Sequence, residues 1–259
     1  MTTALITGAT AGIGLEFARQ LADRRHDLVL VARDVDRLDR VADELRGAHG
    51  IDVEVLGADL SDRDRLQSVA DRLADRQRPV DVLVNNAGYG LKGRFLHNDV
   101  LDEERLFDVL TRAVLVLSHA AAGAMVERGS GSIINVSSVA GFIAGGTYSA
   151  AKSFTTVFTE GLASELKGTG VTATALCPGF TRTEFHERAR LKMDNLPGFM
   201  WLEAPALVSA CLDDVGKGRV VSVPGPQYKA IVGLLRVVPR SLVRAAAQSP
   251  ARTVVGRRR

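Results

Sequence analysis

The chain has 259 residues, 46% of them hydrophobic and 5% aromatic, which suffices for a large core in one α/β domain. Two cysteines, Cys177 and Cys211, are too few and too far apart for a disulfide framework or a zinc knuckle, and predict a reducing, cytoplasmic setting. The formal charge of +3 is unevenly divided: residues 215–259 hold ten Lys or Arg and no acid, leaving 23 basic against 30 acidic groups in the first 214 residues, so a basic groove for nucleic acid is excluded.

The first ten residues, MTTALITGAT, lack the basic and apolar regions of a secretory signal, so export is not expected. ALIT (4–7) is the first strand candidate and 14–24 the first helix. DLVLVA (27–32), DVEVLGAD (52–59), VDVLVNN (80–86), GSIINVSS (131–138), VTATALCP (171–178) and GRVVSVPG (218–225) complete seven strands, mostly continuous apolar runs of the kind buried on both faces of a parallel sheet. Between them, 36–48, 62–77, 102–128 and 149–167 show helical period, several opening on Asp or Ser at cap positions. This alternation predicts an α/β fold, a doubly wound parallel sheet of about seven strands with helices on both faces, as in a Rossmann fold. A single dinucleotide-binding catalytic domain is expected over 1–225, with a substrate-covering segment at about 181–201 and a basic, partly apolar extension over 226–259. The apolar run Ala230–Leu235 stops at Arg236, far short of the ~20 residues of a spanning helix, so no transmembrane segment is expected.

Thr7-Gly8-Ala9-Thr10-Ala11-Gly12-Ile13-Gly14 follows the first strand and opens the first helix. Its glycines let the backbone approach a pyrophosphate, whose charge meets free N–H groups at the helix N-terminus. The plainer reading is a tight strand–helix turn. At the end of the second strand, Arg33 stands where an acid would hold a ribose 2′-OH; a guanidinium there suits a 2′-phosphate, so NADP(H) is expected over NAD(H), unless Arg33 is merely a solvated surface residue. Asp34 either points away or pairs with Arg33. The third strand ends in Asp59-Leu60, a carboxylate placed for an adenine amino group, and the fourth in Asn85-Asn86-Ala87-Gly88, small enough for a cofactor to pass.

SSVAGFIAGGTYSAAK, residues 137–152, sets Tyr148 and Lys152 at i, i+4 on one helix face. An ammonium there favours the phenolate, lowering a pKa that begins near ~10 towards neutral pH. Ser138, at the end of the fifth strand, is placed to hydrogen-bond a carbonyl oxygen, with Ser137 as second candidate. The alternative for Tyr148 and Lys152 is an ordinary helix-surface pair.

TGATAGIG, the Asp59 acid, NNAG at 85–88, the serine before Tyr148-Ser149-Ala150-Ala151-Lys152 and the Pro178-Gly179 turn stand in an order and spacing that resembles the short-chain dehydrogenase/reductase family over roughly residues 3–183. The resemblance implies hydride transfer between a nicotinamide and a small-molecule alcohol or carbonyl, and a homodimer or homotetramer. It implies that Tyr148 is the acid/base, that Lys152 tunes it and holds the nicotinamide ribose, and that Ser138 orients the oxygen. Cofactor contacts are implied for Gly8, Thr10, Gly12, Ile13, Gly14, Arg33, Asp59, Leu60, Asn86, Ala87, Gly88, Tyr148, Lys152, Pro178 and Gly179, and for the hydroxyls of Thr181 and Thr183. Two departures stand out. Leu110 occupies the position of an asparagine thought to hold a water in a proton relay, with Thr111 or a bound water as substitutes. The interval from Ser138 to Tyr148 is ten residues, about three shorter than is common in the family.

His186, Trp201 and Leu196-Pro197-Gly198-Phe199-Met200 are candidate substrate lid. His26, His49, His97 and His119 show no ligand spacing, so no metal is expected. The stretch Tyr228 to Pro239, continuing into Arg240, Arg244, Arg252 and Arg257-Arg258-Arg259, suits packing or subunit contact, a helix lying on a membrane surface, or a solvated tail. Peripheral membrane contact would favour an acyl or lipid-like substrate. The rival function is a non-catalytic NAD(P)-binding regulatory or interaction protein, for which Leu110 is the argument; an epimerase or dehydratase is disfavoured by length and glycine spacing.

Overall fold

In this computed structural model, residues 2–93, 95–185 and 196–247 are described. The strands in chain order are β1 (Thr3–Thr7), β2 (Asp27–Ala32), β3 (Val53–Gly57), β4 (Val82–Asn85), β5 (Gly131–Val136), β6 (Val171–Leu176), β7 (Thr181–Arg182), β8 (Leu202–Glu203) and β9 (Val221–Ser222). Seven form one parallel sheet in the order β3-β2-β1-β4-β5-β6-β9, while β7 and β8 form a separate parallel pair. The chain starts at β1, winds out to β3, then returns across β1 to build the other half from β4, so the order reverses between β1 and β4.

Continuous apolar strands follow from helices on both faces, because alternate residues point to opposite sides and both sides are buried. Ala4, Ile6, Leu28, Leu30, Val84 and Ile134 pack under α1 (Gly12–Asp23), α2 (Val35–His49) and a later helix through Phe17, Leu21, Leu38 and Leu45. Leu5, Val29, Val31, Leu83 and Ile133 pack on the other side under α3 (Arg63–Ala74) and the long helix that follows β4. That helix begins as α4 (Val100–Phe107), passes through a π-turn at Asp108–Arg112 in which the Ala113 N–H reaches back to the Asp108 carbonyl, and continues as α5 (Ala113–Arg128). By length and composition Val100–Arg128 is the one described helix able to cross a membrane; burial of Leu117, Ala121 and Met125 in the second core accounts for its apolar character. Asp34, Asp62 and Asp99 cap α2, α3 and α4 by accepting backbone N–H bonds.

α6 (Gly146–Glu165) carries the Tyr148 segment. Past the segment at about 181–201, α7 (Ala204–Gly216), α8 (Pro226–Val237) and α9 (Arg240–Ala247) follow one another, and the last predicted strand, 218–225, shrinks to two residues. α7 completes the first core with Leu207, Val208 and Cys211. Tyr228 and Val232 of α8 are buried against Ala175, Cys177 and Val223, so the first part of the basic extension packs on the sheet. His186, Arg252 and Arg257 to Arg259 lie outside the described residues.

Candidate active site

All the predicted motifs reach the carboxyl ends of β1 to β6. Gly8 follows β1 and donates its N–H to Val31 at 2.8 Å. The Thr7 hydroxyl ties this turn to the end of β4, donating to the Val84 carbonyl and accepting from the Asn86 and Ala87 N–H groups at 2.9 and 3.0 Å. Asn86 completes the strut with its amide nitrogen on the Thr7 and Gly8 carbonyls, at 2.9 and 3.3 Å. Its side chain thus shapes the turn. Thr10 is buried, and Ile13 packs on the first core.

Whereas α2, α3 and α4 start on a capping Asp, α1 starts on Ala11 with no side-chain cap and no acid in its first turn. Among the described residues no side chain caps the N–H groups of that turn, an arrangement that fits an anion. Gly12 sits there with φ 55°, and a Cβ built on it would meet the Thr183 methyl at 3.1 Å, so the glycine turn and the segment after Gly179 come together over the same point. Thr183 accepts from the Phe185 N–H; Thr181 is buried and donates to the Gly179 carbonyl at 3.1 Å.

Arg33 is exposed just past β2, close enough for its charge to act on Asp59 and Tyr89. Asp34 accepts the Arg37 N–H at 3.0 Å in its capping role. Arg37, the other nearby base, forms a two-pronged pair with Glu184 at 2.5 and 3.1 Å. Asp59 is raised by burial, but hydrogen bonds from the Ser61 N–H and hydroxyl and the charges of Arg33 and Arg105 together hold it below the usual carboxylate range. The Leu60 side chain is buried in the second core, which leaves its backbone as the part that can face a cofactor. These features fit a nicotinamide dinucleotide.

Ser137 and Ser138 separate cleanly. Ser137 is buried, donating to the Lys152 carbonyl and exchanging a hydrogen bond with the Thr156 hydroxyl, both at 2.7 Å. Ser138 accepts from Ala140 N–H at the head of a 3₁₀ turn, Val139–Phe142, its hydroxyl reaches the Pro178 carbonyl at 3.5 Å, and it lies close enough to the Tyr148 phenol to ease its ionisation. The ten-residue interval is thus spanned by one tight turn, and the shortened loop still delivers Ser138 to Tyr148. Pro178 accepts from Val139 N–H, closing the same corner.

The Lys152 ammonium lies 5.9 Å from the Tyr148 ring centroid and donates to the Val136 carbonyl at 2.7 Å. Around Tyr148 stand Leu106, Leu110 and Ala151, with Tyr89 and Leu91 at the edge and the Phe185 ring 6.0 Å away. Exclusion of water by these groups pushes the phenol up to about 12, opposed by Ser138, and pulls Lys152 down to about 8. Against the expected lowering by Lys152, burial leaves the phenol raised, and Ser138 is what opposes it. Leu110 fills the corner between Gly88 and α6, its Cδ2 placed 2.8 Å from a Cβ built on Gly88, which would also lie 3.8 Å from the Lys152 ammonium. Its carbonyl accepts from the Thr155 hydroxyl at 3.2 Å. Thr111 spends its own hydroxyl on the Phe107 carbonyl at 2.5 Å and is no substitute for the missing amide.

Lys152 carries a stability prediction. Because its folded pKa of about 8 lies below its ordinary 10.5, the unfolded chain binds more protons between those values, and stability rises with pH across that window. Tyr148 acts oppositely between 10 and about 12, where the folded state keeps a proton that the unfolded chain releases. Lys152→Met is therefore expected to raise the melting temperature at pH 7 by a few degrees: relief of about 3 kcal/mol of burial penalty, less about 1 kcal/mol for the lost bond to Val136. The margin should shrink as pH rises from 8 towards 10.5. Thermal melts across that range test it, and a lower melting temperature at pH 7 refutes it.

Tyr89, Phe185, Arg37 and Glu184 escaped the sequence reading because none belongs to a motif; Tyr89, directly after NNAG, was the one within reach of it. Trp201 packs on its own segment, 6.2 Å from the Phe180 ring and 5.3 Å from the Arg182 guanidinium.

A family model described as short chain dehydrogenase matches residues 2–194. The chain is 38% identical over 186 residues to sulfoacetaldehyde reductase 2 of Chromohalobacter salexigens, covering 70% of this chain and 73% of that protein. It is 34% identical over 195 residues to an NADP-dependent 3-hydroxy acid dehydrogenase of Salmonella typhi, covering 74% and 77%. A solved short-chain dehydrogenase from Sphingobium yanoikuyae in complex with NADPH superposes with a TM-score of 0.83 at 36% identity, covering 93% of this chain and 98% of the other. With Tyr148, Lys152 and Ser138 gathered beside the glycine turn and a family match over three quarters of its length, the chain belongs to the short chain dehydrogenase family.

Proposed function

We propose that this protein is an NADP(H)-dependent oxidoreductase that interconverts a carbonyl and a secondary alcohol, acting as one catalytic unit over residues 1–225. The convergence of half-buried Ser138 and Tyr148 on buried Lys152 in one largely apolar pocket carries the reading. The bound nicotinamide supplies or accepts the hydride. In the reducing direction, the Ser138 hydroxyl donates a hydrogen bond to the substrate oxygen and fixes it beside the phenol. Tyr148, protonated at neutral pH by its raised pKa, gives its proton to that oxygen. Lys152, cationic below about 8, then stabilises the phenolate left behind. A phenol kept protonated in the ground state favours carbonyl reduction as the working direction.

The residues suited to hold the dinucleotide are the first-turn N–H groups of Gly12, Ile13 and Gly14 and the hydroxyl of Thr183 for the pyrophosphate, Asp59 for the adenine end, and Lys152 for the nicotinamide ribose. Arg33 supports the preference for a 2′-phosphate: Asp34 is engaged as a helix cap and Arg37 by Glu184, so neither supplants it. Arg33→Ala is expected to weaken NADPH binding by about tenfold to a hundredfold, the worth of a charge-assisted bond, and to leave NADH unchanged. Titration of both cofactors by fluorescence tests this, and equal losses refute it.

Leu91, Leu106, Leu110 and Phe185 around the phenol favour an apolar or acyl carbonyl compound. A panel of such carbonyls with NADPH oxidation as readout tests the class, and a panel without turnover returns the chain to the non-catalytic rival. Assembly as a homodimer or homotetramer fits the exposed Leu115 and Val157 on α5 and α6. The buried free thiols of Cys177 and Cys211 suit a cytoplasmic setting.

A further inference from the structure

α8 carries two apolar stripes. Tyr228 and Val232 face inward and are buried, with Ile231 packed beside them. Ala230, Gly233, Leu234 and Val237, spaced i, i+3, i+4, i+7, form a second stripe whose members are all exposed. Leu234 is 62% exposed, Val237 78%, and Leu242 of α9 60%. The inner stripe already anchors the helix, so the outer one answers no packing need of the sheet.

The charge around this face has one sign. Lys229, Arg240 and Arg244 are exposed on the same two helices, and the sequence from 215 to 259 holds ten Lys or Arg and no acid. Arg236 is the exception in direction, turned back to Glu160 at 3.7 Å and to the Phe142 ring at 5.6 Å. Exposed leucine and valine side chains set among bases that pair with no acid among the described residues match an anionic bilayer surface, where apolar groups enter the boundary below the headgroups and Lys and Arg meet the phosphates. A second copy seated on this face would bring two acid-free basic segments together, and like charges oppose it.

We propose that α8 and α9 dock this protein onto the surface of an anionic lipid bilayer, with Leu234, Val237 and Leu242 as the inserted groups and Lys229, Arg240 and Arg244 as the headgroup contacts. This surface is independent of the catalytic reading.

The test is co-sedimentation of the full chain with vesicles of phosphatidylcholine alone and with vesicles of equal parts phosphatidylcholine and phosphatidylglycerol. The expected result is binding to the mixed vesicles at least about tenfold stronger than to the neutral ones. Leu234→Glu/Val237→Glu and Lys229→Glu/Arg244→Glu should each weaken it by about tenfold or more while keeping the wild-type melting temperature. Equal partitioning between the two vesicle types, or either variant binding as wild type, overturns the proposal. So does sedimentation showing that Leu234→Glu/Val237→Glu dissociates an oligomer of a wild type that does not bind vesicles. Should the variants not fold, the wild type decides alone: release from mixed vesicles at about 0.5 M salt supports the proposal, and retention overturns it.

Discussion

Tyr148→Phe is expected to lower carbonyl turnover by about 10²- to 10⁴-fold while leaving NADPH affinity and melting temperature unchanged. The substitution removes the one group placed to exchange a proton with the substrate oxygen and little else. The ring stays packed among Leu106, Leu110 and Ala151, with Phe185 at 6.0 Å, and Lys152 keeps its bond to Val136. Since burial disfavours the phenolate, the native hydroxyl contributes reactivity rather than stability. Steady-state NADPH oxidation, a cofactor titration and a thermal melt on the same preparation separate the possibilities. Activity that survives would remove Tyr148 from the mechanism, and joint loss of binding and activity would make its hydroxyl a structural element of the cofactor site.

Gly179→Ala should lower the melting temperature by roughly 5 to 10 °C, from overpacking that costs about 2–3 kcal/mol. A Cβ at this position would lie under 3.0 Å from three atoms of the Tyr228 ring. That ring cannot swing aside, because its hydroxyl accepts from the Phe180 N–H at 3.0 Å and donates to the Met200 carbonyl at 2.6 Å. Sequence motif and structure thus give this glycine different duties. If its smallness served the cofactor alone, the substitution would weaken NADPH binding and spare the melting temperature of the cofactor-free protein. Gly179→Ala/Tyr228→Leu is expected to melt less far below Tyr228→Leu than Gly179→Ala melts below wild type, since the obstructing ring is gone.

The sheet was legible because each strand is short, apolar and separated from the next by a helical pattern, and the site because its parts are local: a turn of eight residues, and a tyrosine and a lysine one helical turn apart. What separates Ser138 from Ser137 is not in the sequence: Ser137 is spent on Thr156 inside the core. The helices beyond residue 203 were not assigned from the sequence. They owe their order to long-range burial, as in the contacts of Leu207 and Cys211 with the first core and of Tyr228 with β6, which a local stretch of sequence does not report. The raised pKa of the resting phenol was equally out of reach, since spacing along a helix reports proximity and says nothing of how dry the surroundings are.

The π-turn at Asp108–Arg112 has a mechanical consequence. An α-helix advances about 100° per residue, so a single turn closed one residue late resets the phase of everything beyond it. Before the turn the helix presents Leu106 to Tyr148; after it, Leu117, Ala121 and Met125 meet the sheet and α3. One rod thereby keeps two appointments that an unbroken 3.6-residue pitch would not keep together. Removing one residue from 108–112 would close the π-turn to an ordinary α-turn and leave α5 facing the sheet, whereas removing one from the regular turns of α5 would rotate everything beyond it by about 100° and turn its buried row towards solvent.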